Sequence, residues 1–428
     1  MEISNSNTAF SSDWTTPAVQ NDAPPPPPPT AATATAAGNP AGLTSSEEVP
    51  VMDSFECMEL PDNLLRGIYS YGFEKPSSIQ QIAVLPMKQG RDLLAQSRSG
   101  TGKTGAFTIG ALSRVDPSIL YPQVIVICHV RELAEQTYKV AAALGRYMGL
   151  KAMFATGGSN LRGDFSNLRQ GAQFIVGTPG RIYDLIRRNE LRLEHIRCLI
   201  LDEADQLLEN LFADQIQAIL EFPFPKTTQL ALFSATMPDE VLQIAEQFLH
   251  NPVRILSPAE EWSLEGIKQY YVELGREEWK FDALVDIMSK IKINQCIIYV
   301  NKRQKAEWLA KKMLDAGHSL EYIHGDMEVA ERKKRLTDFR EGHVRVLIST
   351  DLLARGIDVQ TLSIVVNYEL PPSHENYLHR IGRTGRYGRK GTALNLITPE
   401  EKDQQTHLER TYGTRVEVLP DDLSVLGK

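Results

Sequence analysis

Two stretches of this 428-residue chain hold the residue types that phosphate chemistry requires. The first is Ser97–Thr104, SRSGTGKT, one residue after the apolar run Leu93–Ala95. Gly100 and Gly102 let a backbone fold tightly enough to turn its N–H groups toward an anion. A helix starting at Lys103 adds the positive end of its dipole. In such a loop Ser97, Arg98, Ser99 and Thr101 surround the phosphates, Lys103 reaches the β- and γ-phosphates of ATP, and Thr104 holds Mg²⁺. The full pattern has glycine where this chain has Ser97. The second stretch is an apolar strand, Cys198–Leu201, that runs into Asp202, Glu203 and, one residue later, Asp205. Mg²⁺ takes hard oxygen ligands, and Asp202 can supply one. Glu203 can then orient or deprotonate a water, while Asp205 is a structural link to nearby loops. Capping of the following helix by three acids is the competing explanation. It accounts for this stretch alone, not for its pairing with a phosphate loop about a hundred residues upstream.

A third stretch, His379–Arg386 (HRIGRTGR), offers positive charge. Arg380 and Arg383 are three apart, so on a helix they share a face. Arginine brought to a transferring γ-phosphate is worth roughly 10³–10⁵ in rate. Because these arginines lie far from the phosphate loop in sequence, hydrolysis requires two parts of the chain to close on each other.

The elements that must position these groups follow from the apolar pattern. Strand-like runs at Gln123–Cys128, Ala172–Val176, Cys198–Leu201 and Leu230–Phe233 alternate with helical stretches. They resume at Cys296–Val300, Val344–Ser349, Ser363–Asn367 and Leu394–Ile397. This alternation predicts parallel sheets covered by helices, with ligands at the carboxyl ends of the strands. The chain is too long for one ordinary core. The reading is two α/β domains, 51–253 and 267–428, joined by a linker over 254–266. Residues 1–50 read as a disordered tail. They hold no Lys or Arg, and they carry six consecutive prolines at Pro24–Pro29.

Hydrophobic content is 42% and net charge −8, which fits a soluble chain whose nucleic-acid contacts, if present, are confined to a local groove. No run approaches the roughly 20 apolar residues of a membrane span, and no secretory signal opens the chain. Cys57, Cys128, Cys198 and Cys296 are scattered, which predicts reduced thiols rather than a zinc site or disulfide framework.

Together these motifs resemble, in order and over nearly all of 55–428, the DEAD-box ATP-dependent RNA helicases. The likeness is strongest to the branch of translation initiation factor 4A and its exon-junction relative, on stretches such as LLRGIYSYGFEKPS and TDLLARGIDVQ. The resemblance implies two tandem RecA-like domains. It also implies RNA-stimulated hydrolysis of ATP with Mg²⁺, and local unwinding of RNA by domain closure. GFEKPSSIQ (Gly72–Gln80) resembles the adenine-reading motif, with Gln80 on the adenine edge, Phe73 packed on the base and Phe55 the upstream aromatic. By the same resemblance Ser234 and Thr236 couple nucleotide to RNA, and Asp358 approaches the nucleotide. Arg131, Gly157–Gly158, Thr178, Arg181, Asn301, Arg303 and Thr350 grip the RNA backbone without reading sequence.

The chain departs from the pattern where His129–Val130 replaces Pro-Thr, Val329 replaces a glutamine and Arg98 adds a charge in the phosphate loop. The implied setting is translation initiation in the cytoplasm, with a HEAT-repeat scaffold as partner and a monomer outside complexes. An ATP-locked RNA clamp in nuclear mRNA processing, or a role in ribosome biogenesis, is the alternative. A metabolic phosphate-loop kinase leaves the second domain and its arginines unexplained.

Overall fold

The structure is a computed structural model. It describes residues 43–98, 100–158, 160–208, 212–256, 267–291, 294–353, 362–384, 391–423 and 426. Ser99, Asp358, Arg386, the first 42 residues and most of the expected linker lie outside the described residues.

Among the described residues fifteen strands form two sheets. The first contains β1 (Thr44–Ser45), β2 (Leu93–Gln96), β3 (Val124–Cys128), β4 (Ala152–Ala155), β5 (Phe174–Gly177), β6 (Cys198–Asp202), β7 (Gln229–Ser234) and β8 (Val253–Leu256), ordered β1-β8-β2-β7-β6-β3-β5-β4. The second contains β9 (Ile267–Glu273), β10 (Gln295–Tyr299), β11 (Glu321–Ile323), β12 (Val346–Ser349), β13 (Leu362–Asn367), β14 (Gly391–Ile397) and β15 (Glu417–Val418), ordered β11-β12-β10-β13-β14-β9-β15. Every pairing is parallel except β1 with β8.

Strands buried on both faces read as unbroken apolar runs. In β3, Val124, Val126 and Cys128 enter one core layer, and Ile125 and Ile127 the other. In β10, Ile297 and Tyr299 face one layer, and Cys296 and Ile298 the opposite one. The two sheets with their helices are the tandem RecA-like fold, here called the first and second lobes.

Two expected boundaries move. β8 extends past residue 253, because Val253–Ile255 pair with Leu93–Ala95. Thr44 and Ser45, assigned to the tail, pair with Leu256 and Ile255 and so belong to the first sheet. Cys128, Cys198 and Cys296 are buried, and Cys57 is exposed. Among the described residues no helix is long and apolar enough to cross a membrane.

Candidate nucleotide and RNA site

The parallel register brings the carboxyl ends of three neighbouring strands together. Gln96 of β2 pairs with Ser234 of β7, and Phe233 of β7 pairs with Asp202 of β6. One residue beyond β2, Ser97 N–H donates to Ser234 O at 3.0 Å, so the phosphate loop leaves the sheet already anchored. Within the loop Lys103 Nζ donates to Ser97 O at 2.6 Å and to Arg98 O at 3.4 Å. Thr101 Oγ1 donates to Arg98 O at 2.8 Å and lies 2.7 Å from Ser97 Oγ. The serine at the expected glycine position thus contributes to the loop. Thr104 follows in the first turn of the helix Lys103–Leu112.

Gln80 is tied to this loop. Its Oε1 accepts from Ser77 N–H at 3.0 Å, boxing the start of the helix Ser78–Gln89. Its Nε2 donates to Gly102 O at 3.2 Å. Gly102 has φ 102°, and a Cβ there would sit 2.6 Å from Ser77 Oγ. At Gly105 a Cβ would sit 2.5 Å from Gln80 Nε2 and 3.2 Å from the Phe73 ring. Phe73 and Gln80 therefore crowd the first turn after the phosphate loop. Phe55 is fully buried and stacks behind Phe73, with ring centroids 6.4 Å apart. Gly105→Ala should displace Gln80 and weaken ATP affinity about 2- to 10-fold, the worth of one hydrogen bond, in a fluorescent-nucleotide titration.

Asp202 ends β6, 2% exposed, and its Oδ2 is buried without a hydrogen-bond partner. Burial, then the charge of Glu203, push its carboxyl up, and Lys103 acts the other way. A lone carboxylate oxygen in this setting suits a hard divalent cation, so the residues present fit Mg²⁺. Glu203 is 4% exposed and has φ 54°, the left-handed region that a glutamate occupies only under constraint. It is the hinge between β6 and the helix Ala204–Leu208, and this conformation separates its side chain from the strand's alternation. Asp205 is tied to the end of β7 and the residues after it. Its N–H donates to Ser234 Oγ at 3.1 Å, and its Oδ2 accepts from Thr236 Oγ1 at 2.7 Å. Ser234 and Thr236 thus meet the acidic stretch.

A cross-lobe contact that sequence reasoning missed also converges here. His379 Nε2 lies 3.5 Å from Asp205 Oδ2, with both side chains buried. The sequence places His379 at the head of the arginine motif, and only the fold shows which acid it meets.

Arg380 requires a correction. The helix His374–Ile381 ends before Arg383, so the two arginines do not share a helical face. Arg380 is fully buried. Nε and Nη2 donate to the two oxygens of Asp351 at 2.5 and 3.0 Å, and Nη2 also donates to Asn301 Oδ1 at 2.7 Å. Nη1 donates to Glu369 O at 2.7 Å and Asn367 Oδ1 at 3.3 Å. These five bonds occupy every N–H of the guanidinium, leaving none for a phosphate. Arg383 follows in the turn, 2% exposed, with Nε donating to His379 O at 3.1 Å.

The expected RNA-backbone residues fall into separate groups. Arg131 Nη1 donates to Thr156 Oγ1 at 2.8 Å and Gly157 O at 3.0 Å, so the Gly157–Gly158 turn is held by the arginine at the head of the helix Arg131–Leu144. Thr178 is the N-cap residue of the helix Pro179–Arg187, and Arg181 within it is ion-paired with buried Asp164. In the second lobe Asn301 is bound up with Arg380, and its Nδ2 donates to Leu370 O at 2.8 Å. Arg303 is ion-paired with Asp326, and Thr350 is half-buried just past β12. Val329 faces the first lobe: a Cβ at Gly158 would lie 3.6 Å from Val329 Cγ2.

A phosphate loop, a strand-end acid pair and a second parallel lobe define a nucleotide-dependent helicase, and the chain belongs to the DEAD/DEAH box helicase family. Residues 77–244 match that family, and 279–388 match the helicase conserved C-terminal domain. Among its relatives is the protein named ATP-dependent RNA helicase eIF4A of Neosartorya fischeri, 46% identical over 90% of this chain and 97% of that one. Eukaryotic initiation factor 4A-3 of Arabidopsis thaliana is 48% identical over 88% and 91% respectively. The structure of S. cerevisiae Dbp5 bound to RNA and ADP BeF3 superposes with TM-score 0.81 at 38% identity, covering 86% of this chain and 96% of that one. A Dbp5 variant bound to Nup159, Gle1, IP6 and ADP gives 0.61 at 37% identity, covering 85% and 96%. The overall likeness is greater to the first. The chain is an ATP-hydrolysing RNA helicase.

Proposed function

We propose that this helicase grips single-stranded RNA by its backbone and opens short duplexes by ATP-driven closure of its two lobes, in the setting of translation initiation in the cytoplasm. The observation that carries the nucleotide half is the Gln80–Gly102 tie, which joins the adenine-facing residue to the phosphate loop beside the buried oxygen of Asp202. Ser97–Thr104 cradle the phosphates, and Thr104 and Asp202 hold Mg²⁺, which supplies charge neutralisation at the triphosphate when bound. Glu203 accepts the proton of the attacking water. Arg383 supplies positive charge from the second lobe, and Asp358 is the further nucleotide contact that the family resemblance implies. Arg380 positions that segment rather than touching phosphate.

Arg131, Gly158, Thr178 and Arg181 of the first lobe, with Asn301, Arg303 and Thr350 of the second, form the RNA track. Hydroxyls, glycine N–H groups and arginines bind phosphate without reading bases, so little sequence preference is expected. The initiation-factor names of the relatives support the translational setting, and a scaffold protein of HEAT-repeat type is the partner we propose from the resemblance to that branch. Multiple-turnover ATPase measured with RNA distinguishes a cycling helicase from an ATP-locked clamp, which would release product slowly.

Lys103→Ala should weaken ATP binding about 10- to 150-fold, the loss of a charge-assisted hydrogen bond to phosphate. Unchanged affinity in a nucleotide titration rejects the phosphate-loop assignment.

A further inference from the structure

The helices Arg131–Leu144 and Val329–Arg340 belong to different lobes and face each other across a cavity of about 320 Å³. Two ion pairs cross it. Arg332 Nη2 lies 3.3 Å from Glu132 Oε1, and Lys333 Nζ lies 3.1 Å from Glu135 Oε1. Glu135 has a second cation, because Lys139 Nζ, one turn along its own helix, is also 3.1 Å from Oε1. The Glu135 side chain is 21% exposed, whereas Lys139 and Lys333 are 63% and 65% exposed. Burial raises the Glu135 carboxyl, but hydrogen bonds from Lys333 and Lys139 outweigh burial and hold it below the usual glutamate range.

We propose that Glu135 and Lys333 are a positioning pair that biases the two lobes toward the closed arrangement. Lys139 travels with Glu135 on the same rigid helix, so the carboxylate stays charged and oriented whether or not the second lobe is near. Lobe approach then desolvates little more than one well-exposed ammonium, which keeps the net pairing attractive. Neither residue belongs to the phosphate loop or the acid pair. Their effect falls on the closing equilibrium, and a ligand that prefers the closed state inherits it as apparent affinity. This inference rests on the closure reading given above.

The test is fluorescence anisotropy of a short single-stranded RNA with the full chain, with and without a non-hydrolysable ATP analogue. Lys333→Glu places like charges opposite each other and should weaken RNA binding about 5- to 10-fold with the analogue, and less than about twofold without it. The swap Glu135→Lys with Lys333→Glu should return affinity to within about twofold of the original chain. The KM for RNA in steady-state ATPase should rise in Lys333→Glu, with kcat held at saturating RNA.

Equal weakening with and without nucleotide overturns the proposal and makes Lys333 an RNA contact. Failure of the swap to restore affinity, in a variant whose thermal unfolding is unchanged, overturns it as well. Should the swap unfold, the milder Lys333→Ala must still weaken analogue-dependent binding about two- to threefold, and no change rejects the pair. If the unmutated chain shows no tightening by the analogue, closure itself fails. Tightening in the unmutated chain without rescue by the swap removes only the pair.

Discussion

Glu203→Gln is expected to bind ATP and RNA as the unmutated chain does while turnover falls about 10²–10⁴-fold, the usual contribution of a positioned general base. Glutamine keeps the volume and one carbonyl oxygen of the side chain, so packing at a 4% exposed position is preserved. It lacks the basic oxygen that could take a proton from water. The backbone strengthens the expectation. At φ 54° Glu203 pays for a conformation that the flanking β6 and Ala204–Leu208 elements impose, and strain of this kind persists where the surrounding structure over-determines it. Asp202, one residue earlier, continues the strand alternation and ends as a buried acid beside Lys103. Two adjacent carboxylates thus receive different environments, and the chemistry needs that division between holding a cation and handling a proton. Single-turnover hydrolysis alongside a nucleotide titration checks the result. Turnover within about threefold of the unmutated chain, with binding intact, would remove Glu203 from the base role.

The parts of this site that were legible in the sequence are those written in local pattern. A glycine-rich loop between a strand and a helix, and acids at the mouth of an apolar strand, are short-range signals, and the register of β2, β7 and β6 brings them together. The eight apolar runs all became strands, because burial on both faces demands uninterrupted apolar residues. β9, IKQYYVE, is not legible as a buried strand, since its residues vary from buried to exposed and blur the signal. The pairing of Thr44–Ser45 with β8 was hidden for another reason: two polar residues carry no period, and their partners lie more than 200 residues away. Cross-lobe partners were equally out of reach. Glu135 and Lys333 are ordinary helix-surface charges until the fold sets them 3.1 Å apart. Arg380 failed differently: its motif was visible, but a helical period was extended past Ile381, where Gly382 ends the helix.

That error leads to the second large effect. Arg380→Met should destabilise the second lobe by about 3–5 kcal/mol, the cost of removing one partner from a buried charge network. Five acceptor interactions lose their donor at once: both oxygens of Asp351, Asn301 Oδ1, Asn367 Oδ1 and Glu369 O. The Asp351 side chain is 29% exposed, so water recovers part of the loss and places the effect toward the lower end. Tyr299, whose ring centroid is 5.2 Å from the guanidinium carbon, loses its cation partner too. In calorimetry of the full chain, the second-lobe transition should fall by about 6–12 °C for a domain of this size. ATP affinity, carried by the phosphate loop of the first lobe, should survive. A guanidinium that reached the γ-phosphate would behave in the opposite way. Its loss would leave the melting transition in place and cut turnover by roughly 10³–10⁵, and that pattern in Arg380→Met would return the residue to the catalytic set. The same measurement on Arg383 should then give the larger catalytic loss and the smaller thermal one, dividing the pair into strut and charge donor.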